Sequence, residues 1–244
     1  MLADNGMTLS LIHILIAIKS SMEKEKENIN ILRLQLYQQL FIYGDVIPLS
    51  FVVDLALFEK EIRQFDNNWV IYNKHKGFNG RHGLSITSLD GGMSGEPDLQ
   101  SLYEYAQNTG NNVSENQFCE PTEAFRKISS LHPLLTYFTG GLGRCRVIRF
   151  KNGGYFPPHR DQSIQFQVPD YFRILVPLNN TGRNSFYFIY DDKKIVYEPG
   201  RAYLFNALKE HSVFSFQDDV YTFAMSLQLN QKNIEQVIRH FWVK

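Results

Sequence analysis

The sequence predicts a mainly β domain with helical additions (α+β), and three observations support this fold class. Residues 144–229 contain short apolar runs separated by turn residues, a spacing typical of a β-sandwich or a β-barrel. Residues 1–68 contain apolar residues at helical rather than alternating spacing. Aromatic residues make up 14% of the 244 residues, which suits a core packed between β-sheets.

The N-terminal region, residues 1–68, is predicted to be helical. An apolar run near its start is too short for a membrane span, which needs about 20 apolar residues. It also lacks the basic start of a signal peptide, so we interpret it as a buried helix. Helical spacing predicts a second helix over Ile29–Tyr43, and Ser50 is expected to cap a third over Phe51–Phe65. We expect these helices to pack against one sheet, with a homodimer formed through them as the alternative.

Residues 69–229 are predicted to form the β domain. It begins with two strands, Trp69–Asn73 and Leu84–Leu89. Insertions rich in glycine and asparagine within residues 90–121 are expected to form either a lid over the site or surface loops. Short apolar segments predict three helices in this part of the chain: Leu99–Ala106, Thr122–Ser130 and Leu131–Phe138.

The second half of the β domain is predicted to be almost entirely strands and turns. The predicted strands are Arg144–Phe150, Phe172–Leu178, Ser185–Tyr190, Lys194–Tyr197, Ala202–Asn206, Ser212–Phe216 and Val220–Leu229. Turn residues such as Pro199 and Gly200 separate them. Residues 230–244 are predicted to end the chain with a helix over Gln231–Trp242, which has apolar residues on one face.

Two histidines and one aspartate of the β domain are the candidate metal ligands. Residues i and i+2 of a strand project from the same face, so His159 and Asp161 are placed to bind one ion together, and His211 is supplied by a later strand. Two imidazoles and a carboxylate leave coordination positions open, as in non-haem Fe(II) oxygenases. A structural zinc site would close all four positions, usually with cysteines. His75 and His82 are expected to be surface residues.

Five motifs follow one another between Leu131 and Leu229: R-x-R-V-I-R-F, G-G-Y-F-P-P-H-R-D, F-R-I-L-V-P-L, E-P-G-R-A-Y-L-F-N and H-S-V. Their order resembles the 2-oxoglutarate/Fe(II) dioxygenases and, within them, the aspartyl/asparaginyl β-hydroxylase and proline hydroxylase-like branch. The resemblance implies a double-stranded β-helix (jelly roll) that uses Fe(II), 2-oxoglutarate and O₂ and releases succinate and CO₂. It implies His159, Asp161 and His211 as iron ligands and catalytic residues, and an amino-acid or peptidyl side chain such as Asp, Asn or Pro as substrate.

The same resemblance raises a question about how the co-substrate is bound. The branch places an arginine ten residues after the distal histidine, where it pairs with the far carboxylate of 2-oxoglutarate, but Tyr221 stands at this position. A phenol offers one neutral hydrogen bond in place of a bidentate charged contact. Arg173, on a strand where the branch has a basic residue facing the co-substrate, is therefore expected to bind the carboxylate, with Tyr221 assisting. The alternative is that binding of the co-substrate is weak or altered.

Composition narrows the remaining function classes. The formal net charge is zero, which argues against a nucleic-acid partner because such binding requires an excess of basic residues. No membrane partner is expected. Cys119 and Cys145 have no metal-site spacing, and two cysteines do not make a disulfide framework. A reducing, cytoplasmic setting is therefore expected, which also fits Fe(II) chemistry. Two other functions stay open: a non-catalytic jelly-roll binding module with a vestigial site, and a cupin-like metalloenzyme with another co-substrate.

Overall fold

The computed structural model describes residues 24–25, 27–74, 80–161, 170–179 and 185–242. The strands are β1 (Val46–Val52), β2 (Val70–Ile71), β3 (Arg81–Ser85), β4 (Thr87–Ser88), β5 (Glu120–Pro121), β6 (Leu142–Phe150), β7 (Tyr155–His159), β8 (Tyr171–Pro177), β9 (Phe186–Tyr190), β10 (Lys193–Ile195), β11 (Arg201–Phe205), β12 (His211–Ser215) and β13 (Val220–Gln228). The helices are α1 (27–40), α2 (Leu55–Ile62), α3 (Leu102–Thr109), α4 (Glu123–Lys127), α5 (His132–Tyr137) and α6 (Gln231–Ile238).

Two antiparallel sheets face each other and form a double-stranded β-helix. The large sheet has the order β1-β11-β8-β13-β6-β3-β2, and the small sheet has the order β10-β9-β12-β7. From β6 onwards the chain crosses repeatedly between them, because β6, β8, β11 and β13 belong to the large sheet while β7, β9, β10 and β12 belong to the small one. This alternation is the connectivity of a jelly roll, and the predicted fold class is confirmed.

The pleat of the large sheet separates two apolar layers. Along β13, Phe223 and Met225 face outward into a cluster shared with the helices, whereas Val220 and Ala224 face inward into a cluster between the two sheets. Because successive side chains of a strand point to opposite faces, a central strand covered on both sides has no solvated face. Any polar side chain on the inner face of the large sheet therefore lies in the interior of the jelly roll.

The N-terminal region is not entirely helical, which corrects the predicted boundary at residue 69. Residues Val46–Val52 form the edge strand β1 and pair with β11, so the large sheet begins well before Trp69. The helix predicted over Phe51–Phe65 with a Ser50 cap is wrong at its start. Asp54 is the N-cap and accepts a hydrogen bond from the backbone N–H of Leu57.

The helices and the C-terminal segment cover the outer face of the large sheet. The carboxylate of Glu61 on α2 accepts hydrogen bonds from the backbone N–H groups of Ser129 and Ser130, which ties α2 to the turn that leads into α5. Asn230 caps α6 by accepting from the N–H of Asn233. These local caps fix where the helices begin, and burial of their apolar faces supplies most of their stability.

Most of the predicted strands from β6 to β13 are confirmed to within about two residues, a margin expected at element ends. The structure adds a strand that was not among those predicted, β7, which ends at His159. None of the helices within the described residues combines the length and the apolar character that crossing a bilayer requires. The apolar run near the N-terminus and His75 lie outside the described residues.

Candidate metal centre

Pairing of two strands in the small sheet brings the distant histidines together. His159 ends β7 and His211 begins β12, and the two residues lie directly opposite each other in the antiparallel pair. Their ring centroids are 4.3 Å apart. Asp161 follows β7 rather than lying within it, and its backbone N–H donates to the carbonyl of Ala207 in the segment that leads to β12. The backbone therefore sets the positions of all three side chains.

The nitrogen and oxygen atoms of the three side chains converge. One ligand atom from each of His159, Asp161 and His211 lies within 4.8 Å of the other two. The Nε2 atoms of His159 and His211 are 3.3 Å and 3.4 Å from the same carboxylate oxygen, Oδ1 of Asp161. Within the described residues, this is the cluster of His, Cys, Asp and Glu side chains with metal-ligand geometry.

Hydrogen bonds to the backbone fix the orientation of both imidazoles. Nδ1 of His159 is 2.7 Å from the carbonyl oxygen of Pro157, and Nδ1 of His211 is 3.0 Å from that of Lys209. Since a carbonyl oxygen only accepts, each Nδ1 carries the proton, and Nε2 of a neutral ring presents a lone pair to Asp161. Two lone pairs and a carboxylate oxygen this close together are stabilised only by a cation among them. Such second interactions through Nδ1 are the usual support of metal-binding histidines.

Without a metal, a proton would be the cation that satisfies this arrangement. Burial lowers the pKa of His211, but its contact with the Asp161 carboxylate raises that pKa by more, so the net shift is upward. Burial also raises the pKa of Asp161, and the charge of Arg173 together with hydrogen bonds from His159 and His211 lowers it well below its usual range. The carboxylate is thus ionised and attracts positive charge.

Aromatic rings form the wall around the two histidines. Phe188 stacks on His211 with a centroid separation of 5.8 Å, and Phe205 meets the same ring edge-on at 5.5 Å. Phe156 stacks on His159 at 5.6 Å. His211 is buried, whereas about a third of the His159 side chain is exposed, at 32%. The site therefore has an apolar inner wall and an open side at His159.

Arg173 lies next to the three candidate ligands, on the inner face of β8. Its Nη1 is 2.7 Å from Oδ2 of Asp161, and its Nη2 donates to Oε1 of Glu115 at 3.1 Å. Asp161 thus turns Oδ1 towards the histidines and Oδ2 towards the guanidinium. Burial lowers the pKa of Arg173, but the two carboxylates raise it well above its ordinary value. The resemblance led us to expect that Arg173 binds the far carboxylate of 2-oxoglutarate, but both of its terminal nitrogens already contact protein carboxylates.

A buried ion-pair network extends from Arg173 into the interior of the jelly roll. Glu115 receives a two-pronged contact from Arg144, from Nε at 3.0 Å and from Nη2 at 2.5 Å. It also accepts a hydrogen bond from the hydroxyl of Ser226. Burial raises the pKa of Glu115, and the charges of Arg144, Arg173 and Arg146 lower it by more, so it is below its usual value. One carboxylate is therefore surrounded by several guanidinium groups.

The segment that carries Glu115 belongs to the region predicted to be either a lid or surface loops. Residues Glu115–Gln117 form a short 3₁₀ turn capped by Ser114, and this turn packs on the inner ends of β6 and β13. Close approach requires Gly143, because a Cβ at that position would lie 2.7 Å from the carbonyl oxygen of Glu115. At its buried end the segment is thus part of the interior, and its role as a lid stays a prediction.

Tyr221 does not lie on the side of the sheet where the candidate ligands are. It is on the outer face of β13, where its ring contacts Phe58 at 5.9 Å and Trp69 at 5.7 Å. The inward-facing neighbours of Tyr221 on β13 are Val220 and Thr222. The prediction that Tyr221 helps to bind a co-substrate in the interior is therefore not compatible with its position.

The sequence reasoning missed Glu115, Arg144 and Arg146 as residues of the site. For the arginines a signal was present, since R-x-R in a strand places both side chains on one face, and β6 is buried on both faces. No local pattern marked Glu115, which is one acidic residue in a polar stretch. His82 lies on the outer face of β3, away from the candidate ligands, and burial lowers its pKa.

No protein-family model matches the chain, and none of the curated proteins matches it. Among solved structures, a prolyl-4-hydroxylase from Pseudomonas putida is similar over 81% of this chain and 99% of that chain, with 11% identity and a TM-score of 0.45. A viral collagen prolyl hydroxylase from Paramecium bursaria Chlorella virus-1, in complex with 2OG, is similar over 76% and 95%, with 12% identity and a TM-score of 0.41. An RmlC-like cupin from Desulfovibrio desulfuricans is similar over 37% and 74%, with 16% identity and a TM-score of 0.27.

Proposed function

We propose that this protein is an Fe(II)- and 2-oxoglutarate-dependent dioxygenase that hydroxylates an amino-acid or peptidyl side chain. The observation that carries the proposal is the convergence of two Nε2 lone pairs and one carboxylate oxygen, from His159, His211 and Asp161, inside a jelly roll. Two histidines and one carboxylate on one side of an ion are the donor set of non-haem Fe(II) oxygenases, in which the remaining positions receive co-substrate and O₂.

The residues present fit a divalent iron ion. Both imidazoles are held in the tautomer that a metal requires, by hydrogen bonds from Nδ1 to the carbonyls of Pro157 and Lys209. Asp161 is ionised and already oriented by Arg173. Bound Fe(II) would supply the oxidative chemistry, in which O₂ and 2-oxoglutarate are consumed, succinate and CO₂ are released, and one oxygen atom enters a C–H bond of the substrate.

The side chains around the ligands have separate tasks in this proposal. His159, Asp161 and His211 hold the metal, and Arg173 holds the Asp161 carboxylate in the orientation that serves it. Phe188 and Phe205 exclude water from the inner side of His211, which protects a reactive oxidant from unproductive reactions. The partly exposed edge of His159 is the side from which a substrate approaches.

The class of substrate follows from the resemblance of the motifs. The motifs resemble enzymes that hydroxylate Asp, Asn or Pro side chains, and we propose the same substrate class here.

The direct test is turnover of the co-substrate. Metal-free protein is loaded with Fe(II) and incubated with 2-oxoglutarate in air, and succinate is quantified by NMR. We expect slow release of succinate without added substrate, and none from His211→Ala protein treated identically. His132→Gln serves as the matched control, because His132 lies on α5 with its Nε2 bonded to the carbonyl of Phe125.

A parallel binding measurement makes an absence of turnover interpretable. Mn(II)-loaded protein is titrated with 2-oxoglutarate by calorimetry, which requires no substrate and no O₂. Binding of Mn(II) followed by binding of 2-oxoglutarate supports the proposal even if succinate is formed only with the true substrate. Binding of Mn(II) without 2-oxoglutarate contradicts it in favour of a cupin-like metalloenzyme with another co-substrate. Failure to bind Mn(II) contradicts it in favour of a binding module with a vestigial site.

A further inference from the structure

The turn that connects β11 to β12 supports two of the three candidate metal ligands. The carbonyl of Ala207 accepts the backbone N–H of Asp161 at 3.0 Å, and the carbonyl of Lys209 accepts from Nδ1 of His211 at 3.0 Å. Both carbonyls belong to residues 206–209, which directly follow β11. The placement of two candidate ligands therefore depends on the shape of one short turn.

Asn206, the first residue of this turn, shapes it through both its backbone and its side chain. Its carbonyl accepts the N–H of Lys209 at 3.2 Å, which closes the turn, and it also accepts the hydroxyl of Tyr190 at 2.8 Å. Its side-chain Oδ1 accepts the N–H of Leu208 at 3.2 Å. A side-chain oxygen that accepts the N–H two residues further on mimics a backbone turn, and asparagine readily forms it.

Residues from the N-terminal part of the chain hold the amide of Asn206 from its other side. Its Nδ2 donates to Oδ1 of Asp45 at 2.9 Å, and its Oδ1 accepts the hydroxyl of Tyr37 at 3.1 Å. The backbone N–H of Asn206 donates to the carbonyl of Asp45 at 2.8 Å. Tyr37 lies on α1 and is buried. Each polar atom of Asn206 thus has at least one hydrogen-bond partner.

These contacts require a donor and an acceptor in one short side chain. The carboxylate of Asp45 only accepts, so it needs a donor at position 206. The N–H of Leu208 and the hydroxyl of Tyr37 donate, so they need an acceptor there. A carboxylate at position 206 would meet Asp45 with like charge, and a hydrocarbon would leave the partners unsatisfied, which costs stability. The planar amide of Asn206 supplies both groups.

We propose that Asn206 is a positioning residue for the candidate metal centre, whose side-chain amide keeps the turn in the shape that orients Asp161 and His211. Asn206 acts through the carbonyls of Ala207 and Lys209 and supplies no ligand atom itself. The assignment of a metal to Asp161 and His211 rests on the proposed function. Asn206 is the last residue of the motif E-P-G-R-A-Y-L-F-N, and this role explains why an amide follows β11.

The same contacts make the metal centre depend on the N-terminal part of the chain. Asp45 and Tyr37 both precede residue 69, where the sequence predicted that the β domain begins. Oδ2 of Asp45 also accepts from Nζ of Lys209, so Asp45 contacts both ends of the turn. Loss of the Asp45 side chain is therefore expected to disturb the centre in the same direction as loss of the Asn206 amide.

Three variants separate loss of the amide from a general loss of stability. Asn206→Ala removes the amide. The double variant Asp45→Asn with Asn206→Asp exchanges donor and acceptor between the two positions, and it leaves the total charge unchanged. Glu61→Gln is the control, because it weakens the contacts of α2 with Ser129 and Ser130 on the outer face of the large sheet.

Two quantities are measured on each protein: the affinity for Mn(II), by calorimetry, and the Nδ1–H resonance of His211, by proton NMR of metal-free protein labelled at the histidine ring nitrogens. In wild type this proton is held by the carbonyl of Lys209 in a buried ring, so it exchanges slowly with water. We expect Asn206→Ala to bind Mn(II) about 10-fold more weakly and to lose the resonance through faster exchange.

The other two variants are expected to keep the metal centre. The exchanged double variant should stay within about 3-fold of the wild-type affinity for Mn(II) and should keep the His211 resonance. Glu61→Gln should melt at a lower temperature but keep both. The proposal is overturned if Asn206→Ala keeps the wild-type affinity, if the double variant loses as much affinity as Asn206→Ala, or if Glu61→Gln does so.

Two further outcomes are decided by the same measurements. If Asn206→Ala does not fold, Asp45→Ala takes its place: Mn(II) binding about 3-fold weaker than in wild type supports the proposal, and unchanged affinity overturns it. If wild type itself binds no Mn(II), the proposed function fails by itself. The role of Asn206 is then judged in metal-free protein, where loss of the His211 resonance in Asn206→Ala supports it and retention overturns it.

Discussion

Arg173 connects the candidate metal ligands to the buried charge network, because its guanidinium contacts Asp161 at 2.7 Å and Glu115 at 3.1 Å. The two contacts use different terminal nitrogens, so one planar group fixes the orientation of two carboxylates. The geometry of the candidate metal site therefore depends on Arg173, which is not itself a candidate metal ligand. It also means that the polar interior and the metal centre are parts of one network.

Arg173→Met is expected to weaken Mn(II) binding by about 10- to 100-fold, because Asp161 loses the group that orients it. Calorimetric titration with Mn(II) measures the change, with Arg149→Met as a control on the outer face of the large sheet. Unchanged Mn(II) affinity together with weakened 2-oxoglutarate binding would show instead that Arg173 is the co-substrate anchor that the sequence led us to expect.

Glu115 is the carboxylate on which the network depends for its stability. Glu115→Gln keeps the shape of the side chain but leaves Arg144 and Arg173 without their shared counter-charge. Breaking a buried ion pair in this way costs about 3–5 kcal/mol, which urea unfolding monitored by circular dichroism would detect. Glu123→Gln, which removes an exposed pair with Lys127, is the control and is expected to leave the midpoint unchanged. If Glu115→Gln loses no more unfolding free energy than this control, Glu115 does not stabilise the fold as proposed.

The contribution of Glu115 is expected to depend on pH. The pKa of Glu115 is lowered in the folded protein from its ordinary value of 4.5. The unfolded chain therefore binds this proton more readily, so the ion pairs stabilise the fold above about pH 4.5 and lose their effect as the pH falls through the folded-state pKa. The difference in unfolding free energy between wild type and Glu115→Gln should narrow from about pH 6 to about pH 3. A difference that stays constant over this range would mean that the Glu115 charge is not responsible.

The fold from β6 to β13 could be predicted because local signals agreed with the tertiary structure. Apolar runs of strand length alternate there with turn residues such as Pro199 and Gly200, which has a positive φ of 80° in the structure. The strand β1 could not be predicted in the same way. Short apolar runs fit a helix or a strand equally well, and pairing of Val46 with Phe205, far along the chain, decides between them.

The candidate site was predictable where its spacing is local. His159 and Asp161 are two residues apart, and a motif supplied His211. Glu115 contributes through tertiary contact alone, so no pattern within its own segment identifies it. The position of Tyr221 differs from the expectation because successive side chains of β13 point to opposite faces of the sheet. The odd-numbered apolar residues, Phe223 among them, face the helices, and the even-numbered residues face the interior.

The proposed function depends most directly on whether the side chains of His159, Asp161 and His211 bind one divalent metal. The decisive measurement is a calorimetric titration of metal-free protein with Mn(II), in wild type, His211→Ala and the control His132→Gln. We expect wild type and His132→Gln to bind one ion per chain with equal affinity, and His211→Ala to bind at least about 100-fold more weakly, since it loses one of three protein ligands. Equal Mn(II) affinity in wild type and His211→Ala would contradict the proposed centre.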